Sequence, residues 1–306
     1  MATYIGRRAL QSIVVLFGVS LIVFLLLRLA PSDPITMLLA ETASPQQIAD
    51  ARREMGFDRP IYVQYLLFLS KALQGDLGQS IYYKEPALDV ILKALPMTLW
   101  LGALAFIISV AVALPVGIIS AIKRDSIWDY LGVGFALVGQ AVPPYLFGIV
   151  LILIFSVNLR VLPTSGAFGP EYVILPAVTL AAVLMPIVTR LVRSGMLDVM
   201  NEDYVRTARA KGLPERLVIL RHALRNMLIP LVTVLGLQLT SLLGGAVIVE
   251  QVFAWPGVGR LAVQAISSRD YPVVQADVLV IAFAFVFMNL LVDVLYVWLD
   301  PRIRVS

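Results

Sequence analysis

Cysteine is absent from the 306 residues, and histidine occurs once, at His222. The first absence excludes disulfides, zinc–thiolate sites and iron–sulfur clusters; the second excludes a metal centre built on several imidazoles. Charge is scarce too. Asp, Glu, Lys and Arg make up 14% of the chain, against about a quarter in ordinary soluble domains. Also missing are the phosphate-cradling string G-x-x-x-x-G-K-[ST], the H-E-x-x-H helix and a G-x-S-x-G nucleophile elbow. The chain therefore has no loop of its own to hold ATP and displays no catalytic constellation, so it is read as a non-enzyme.

What is present is apolar: 59% of residues, with a mean hydropathy of +0.88. These residues come in long blocks rather than in stripes of period 2 or 3.6, which identifies a polytopic membrane protein. The net charge of +4 is assigned to the Lys/Arg excess that membrane proteins carry on their cytoplasmic side, so no nucleic-acid partner is expected. Charge-free intervals fall at residues 9–27, 94–122, 130–159, 172–189, 226–249 and 278–292, the last extended by 294–299. A helix needs about 20 apolar residues to cross the hydrocarbon core, so six transmembrane helices are predicted. With a cytoplasmic N-terminus, 14 of the 24 Lys and Arg lie inside, and only Arg28, Arg160, Arg260 and Arg269 lie outside in short stretches. Both termini are therefore placed in the cytoplasm. The apolar run after Arg7 and Arg8 exceeds a signal-peptide core and is read as an uncleaved first helix.

The expected organisation is a first helix with its N-terminus (1–30), a periplasmic helical segment (31–95) and a five-helix core (96–306). The core carries a cytoplasmic loop at 193–225 and a periplasmic loop at 250–276. In the segment after the first helix, Ser44 as N-cap, Pro45 at N1 and Gln47 open one helix. Ile61, Tyr65, Phe68, Leu69 and Ala72 trace a second, broken by the string GDLG at 75–78. Two readings stand: a small helical cap lying on the membrane surface, or a docking surface for an external partner. In the cytoplasmic loop, Asn201 is read as the cap of a short helix with Glu202 and Asp203 in its first turn. Arg206, Arg209 and Lys211 lie toward its end, Gly212 at C′ and Pro214 beyond. Such a helix is either a docking element or an anchor to anionic lipid headgroups.

Small residues four apart, at Ser109, Ala113, Gly117 and Ala121 on the second span, predict close helix packing. Gly236, Thr240 and Gly244 do the same on the fifth, beside Ser241 and Gly245. Pro143 and Pro144 interrupt the third span, which is tolerated only where protein or a watery cavity meets the freed carbonyls. Gln140, Pro143, Tyr145, Gln238 and Thr240 are candidate pathway residues, with core packing as the alternative. Asp293 is the one acid placed well inside a span, and a structural pairing with a loop arginine is the preferred reading.

The string EDYVRTARAKG at 202–212 resembles the cytoplasmic EAA motif of ABC-importer permeases. The resemblance continues through HALRN at 222–226, Pro230, VEQVFAWPGVGR at 249–260, RDYPVVQ at 269–275 and DPRIR at 300–304. Near the N-terminus LRLAP at 27–31, GFDRP at 56–60 and GDLG at 75–78 match as well. Nearly the whole chain is thus similar to the first permease subunit of the dipeptide, oligopeptide, nickel and glutathione importers.

That resemblance implies an all-α, MetI-like type I importer permease fold in a bacterial inner membrane. It implies two permeases, two ATPases that hold ATP and magnesium, and a periplasmic or lipid-anchored solute-binding protein, with no cofactor on this chain. The coupling helix that enters a groove on an ATPase would comprise Asp203, Tyr204, Arg206, Thr207, Ala208, Arg209, Ala210, Lys211, Gly212 and Leu213. The sequence departs from the general motif in having Arg206, Thr207 and Ala208 before Gly212, and Arg225 where proline is usual. Binding-protein docking or gating would fall to the 31–95 segment and to Phe253, Trp255, Pro256 and Gly257; Trp255 is equally read as an interfacial anchor. The function implied is half of an ATP-driven, binding-protein-dependent import pathway for peptides or a glutathione-like solute. The rival is an ion-coupled secondary transporter without ATPases, for which the spans offer few acids.

Overall fold

The computed structural model describes residues 2–29, 46 and 58–299. The helix start read at Ser44 and Pro45 and the string at 300–304 lie outside the described residues, and of Thr240 and Ser241 only the backbone is described. In order, the helices are α1 (Ala2–Leu29), α2 (Ile61–Ala72), α3 (Ala87–Ile122), α4 (Ile127–Ala141) and α5 (Pro144–Leu151). They continue with α6 (Ile174–Met200), α7 (Asp203–Ala210), α8 (Leu224–Val252), α9 (Val258–Ser267) and α10 (Tyr271–Leu299). Two π-helical stretches extend this set: Ile152–Asn158 continues α5, and Val218–Ala223 leads into α8.

Among the described residues, four unbroken helical stretches are long and apolar enough to cross a membrane: Gly6–Leu26, Ala87–Ile122, Pro170–Met200 and Tyr271–Asp293. Two bent pairs bring the number to six if each pair makes one span. The first falls where Pro143 and Pro144 interrupt the third apolar run, and α4 and α5 meet there at an angle of 106°. Proline chemistry is the reason. Pro143 and Pro144 have no N–H to offer the carbonyls of Gly139 and Gln140, and a residue before proline is driven out of the helical region. Val142 accordingly sits at φ −86°, ψ 122° and Pro143 at φ −59°, ψ 139°. The second pair, Glu215–Leu228 with Pro230–Leu239, bends by 52° where Pro230 interrupts the bond ladder.

The chain divides into two compact units. One holds residues 97–260 with 288–299 and is organised on α6, which packs against α4, α5 and α8. Leu180, Leu184, Val188, Val192 and Met196 line the buried side of α6 at helical spacing, with Leu101, Ala113, Met227 and Leu231 against them. The stripe on the second span is used inside the subunit: Ser109, Ala113 and Ala121 are buried. A Cβ on Gly117 would lie 2.7 Å from Val192 Cβ and 2.8 Å from the Thr189 carbonyl oxygen. The stripe on the fifth span divides. Gly245 approaches Leu180, whereas a Cβ on Gly244 would meet nothing.

The other unit holds residues 2–96 and 261–287. Here α2 packs on α1 through Tyr65, Phe68, Phe17 and Phe24. A tight bracket follows α2, in which Ser80 Oγ donates to Asp270 at 2.5 Å and the amides of Ile81 and Tyr82 donate to the same carboxylate. Asp270 is buried, so this bracket ties the residues after α2 to the start of α10.

Candidate functional site

The loop between α6 and α8 folds into a short helix whose two faces differ in kind. Val205 and Ala208 point inward, packing with Val218, Val199 and Leu213. The opposite face presents Asp203, Tyr204, Arg206, Thr207, Arg209, Ala210 and Lys211 to solvent, with Gly212 exposed behind them. Ala208, which the resemblance places in the coupling helix, faces inward, and Val205, absent from that set, packs beside it. Their three-residue spacing on an otherwise polar helix was the available signal.

The helix ends in a complete Schellman motif. The Gly212 amide donates to the Arg209 carbonyl at 2.9 Å and the Leu213 amide to the Ala208 carbonyl at 3.4 Å. Gly212 adopts φ +74°, a conformation that L side chains resist. Its beginning differs from the sequence reading. Asn201 terminates α6, with its Nδ2 donating to the Leu197 carbonyl, and Glu202 occupies the N-cap position in extended geometry. An Asn four residues after a free helical carbonyl has that partner in reach, and the long helix captures it. Pro214 likewise stands one place outside the next helical turn, as its N-cap. Arg209 grips Glu215 with both ends of its guanidinium, at 2.7 and 3.2 Å, bridging α7 to the element that follows.

A second ion pair anchors the base of this loop. Arg193, near the end of α6, donates from Nε and Nη2 to the two oxygens of Asp129 at 2.6 and 2.7 Å. Asp129 is buried at the start of α4 and also accepts the Asp125 amide. The charge-free interval at 130–159 starts just after Asp129, so the sequence reading did not single it out. Asp293, singled out instead, is half-buried in α10.

At the other end of α8, Glu250 is fully buried and accepts from Thr98 Oγ1 at 2.5 Å and from the Arg260 amide at 3.0 Å. Thr98 Oγ1 in turn accepts the Val258 amide. A second Schellman-type end follows, in which Ala254 takes φ +49° and the Trp255 amide donates to the Glu250 carbonyl. Phe253, Trp255 and Gly257 are buried within this turn, the Trp255 indole donating to the Met97 carbonyl at 3.0 Å, while Pro256 is exposed. Gly257 has no room for a side chain, since a Cβ would lie 2.1 Å from Glu250 Oε1. These residues hold the turn together from inside, and Pro256 is the part of the set that faces outward.

Gln140 lines an apolar cavity of about 480 Å³ beside the α4–α5 break, with Pro144, Phe147, Thr179, Val183 and Pro186 among its walls. Pro143 and Tyr145 are exposed at the bend and just after it, and Gln238 lies half-buried on α8. Among the described residues no three His, Asp or Glu side chains gather into a metal-binding group.

Residues 113–305 match the model of the binding-protein-dependent transport system inner membrane component, and residues 1–102 match its N-terminal companion. The chain is 43% identical over 304 residues to the glutathione transport system permease protein GsiC of Escherichia coli O6:H1, covering 99% of each. The same protein from Escherichia coli K12 is 42% identical over the same length and coverage. Among solved structures, the chain resembles an inward-facing MetNI methionine ABC transporter with a TM-score of 0.58 at 18% identity, over 69% of this chain and 96% of that one. An amino acid ABC transporter with histidines gives 0.51 at 19% identity, over 70% and 94%. The chain belongs to the binding-protein-dependent transport system inner membrane component family, as a membrane-embedded ABC-importer permease of the peptide and glutathione branch.

Proposed function

We propose that this permease forms half of an ATP-driven import pathway for peptides or a glutathione-like solute in a bacterial inner membrane, with both termini in the cytoplasm. Its full organisation would be the first helix, the 31–95 segment on the periplasmic side and the five-helix core. A second permease would complete the pathway, and two ATPase subunits would hold ATP and magnesium. A solute-binding protein would deliver cargo to the 31–95 segment and the turn around Pro256. The observation that carries the proposal is α7. It is a short helix, capped at its end by Gly212 and fixed to the body by Val205 and Ala208, with one polar face left exposed.

Asp203, Tyr204, Arg206, Thr207, Arg209, Ala210 and Lys211 would make the ATPase contact. When ATP binding closes the ATPases, a helix so fixed moves as a lever, and the resulting shift between inward- and outward-facing states is limited by the difference in ATP affinity between them. Membership of the family supports this over an ion-coupled transporter. The name of the GsiC relatives supports glutathione or a peptide as cargo. The test is mass spectrometry of what co-purifies with the tagged chain in mild detergent from its own membranes. A second permease and ATPase subunits are the expected result; recovery of this chain alone, under conditions that keep a known importer whole, would overturn it.

A further inference from the structure

Helix α2 packs beside α1, against the apolar stretch that makes α1 a candidate membrane span. The apolar stretch of α1 runs Gly6–Leu26, long enough to cross about 30 Å of hydrocarbon. Ser20 is six residues short of Leu26, about 9 Å in from that end at 1.5 Å per residue. Ser20 is also where α2 touches: its Oγ and the Tyr65 hydroxyl are 2.8 Å apart in a buried contact. The Tyr65 ring lies 5.4 Å from that of Phe24 and 5.7 Å from that of Phe17, one turn deeper still, and Phe68 stacks on Phe24 at 5.7 Å.

The remainder of α2 suits the same depth. No charged residue occurs between Arg59 and Lys71. Two of its polar side chains turn back onto backbone: Gln64 Nε2 donates to the Arg59 carbonyl at 2.8 Å and Ser70 Oγ to the Leu67 carbonyl at 2.9 Å. This is how polar groups are satisfied where no water is available. Tyr62 and Leu66 are exposed by 67% and 61%, Ile61 and Leu67 are exposed as well, and Leu73 is exposed just past the end. Twelve residues cannot span a bilayer, but they are the length of a helix lying in its plane. Charged residues at both ends, Asp58 and Arg59 before it and Lys71 near its end, can reach the headgroups from there.

We infer that α2 is an in-plane membrane helix sunk into the acyl region of the leaflet farther from the N-terminus, and that lipid chains cover its exposed apolar side chains Ile61, Tyr62, Leu66 and Leu67. That leaflet is the outer one in the orientation proposed above, but the inference does not depend on the name. A solute-binding protein would then meet the bracket after α2, where Tyr82 is exposed, and not α2 itself.

The chain contains no cysteine, so one introduced cysteine is a unique labelling site in it. The experiment uses the full chain in nanodiscs of phosphatidylcholine and phosphatidylglycerol, spin-labelled separately at Leu66→Cys, Tyr82→Cys and, as an acyl-depth standard, Ile13→Cys on α1. Collision with oxygen, which dissolves in hydrocarbon, is compared with collision with a water-soluble nickel chelate. The expected oxygen-to-nickel ratio at Leu66→Cys matches that at Ile13→Cys and exceeds that at Tyr82→Cys by about tenfold, because hydrocarbon excludes the polar quencher. A nickel-dominated signal at Leu66→Cys would place α2 in water and overturn the inference. Low collision with both reagents would show that protein, such as a second copy of this chain, covers the face, and would overturn it equally. All three labels sit on exposed positions, so none removes a packed side chain.

Discussion

Glu250, Thr98 and Gly257 make a knot whose parts are 159 residues apart at the extreme, and each depends on the others. The Glu250 carboxylate is sealed from solvent and accepts from Thr98 Oγ1 and the Arg260 amide. A side chain at Gly257 would displace both oxygens, since a Cβ would lie 2.1 Å from Glu250 Oε1 and 2.4 Å from Thr98 Oγ1. Gly257→Ala should therefore lower stability by ~2 kcal/mol or more, the cost of overpacking a site with no slack. Thr98→Val, nearly isosteric, should cost about 1–3 kcal/mol by leaving a buried carboxylate oxygen without its donor. Thermal unfolding in detergent would measure both, and a wild-type midpoint for Gly257→Ala would show that the turn is not held as described. The string at 249–260 was visible in the sequence as a resemblance, but the inward direction of Trp255 and the partner of Glu250 were not. Nothing in the spacing of Thr98 and Glu250 points one to the other.

At the scale of elements, α7 was legible because its ending is written in local chemistry: bases late, Gly at C′, Pro beyond. Its start was misread because Asn201 had two possible helices to serve, and only packing decided between them. Gly212→Pro should abolish transport while leaving membrane insertion intact. Proline holds φ near −65° where +74° is needed, and it removes the amide that bonds the Arg209 carbonyl. Normal uptake by that variant would sink the lever assignment. The Asp129–Arg193 pair makes a separate claim about the mounting. Arg193→Met would leave a buried, uncompensated carboxylate and should cost about 3–5 kcal/mol, whereas Asp129→Leu with Arg193→Met should recover most of the loss. If both variants lose the same amount of stability in thermal unfolding, the pair does not bear on folding in this way.

For the molecule as a whole, the break between α4 and α5 decides whether the third apolar run is a rod or an elbow. Gly139 and Gln140 lose their helical partners by covalent necessity, and the 106° turn opens the cavity that Gln140 lines. Replacing Pro143 and Pro144 together by Ala would return two amides to the ladder and favour one continuous helix. The expected outcome is impaired transport with normal membrane insertion, read from uptake in cells beside membrane fractionation. Unimpaired transport would show that the elbow is incidental.

The sequence by itself determined that this chain lives in a membrane, how many apolar runs it has, which residues end α7, and which family it joins. The first three rest on composition or on contacts within a few residues, where covalent geometry and transfer energies act alone, and the family is carried by strings spread over nearly the whole chain. Tertiary structure decided which acids are paired, that Ala208 and Trp255 face inward, and that α2 rests on α1 at Ser20. Two of those contacts join residues 45 and 152 positions apart, Ser20 with Tyr65 and Thr98 with Glu250. A side chain's partner at that range is set by how whole helices pack, and helix packing is a property of both surfaces at once.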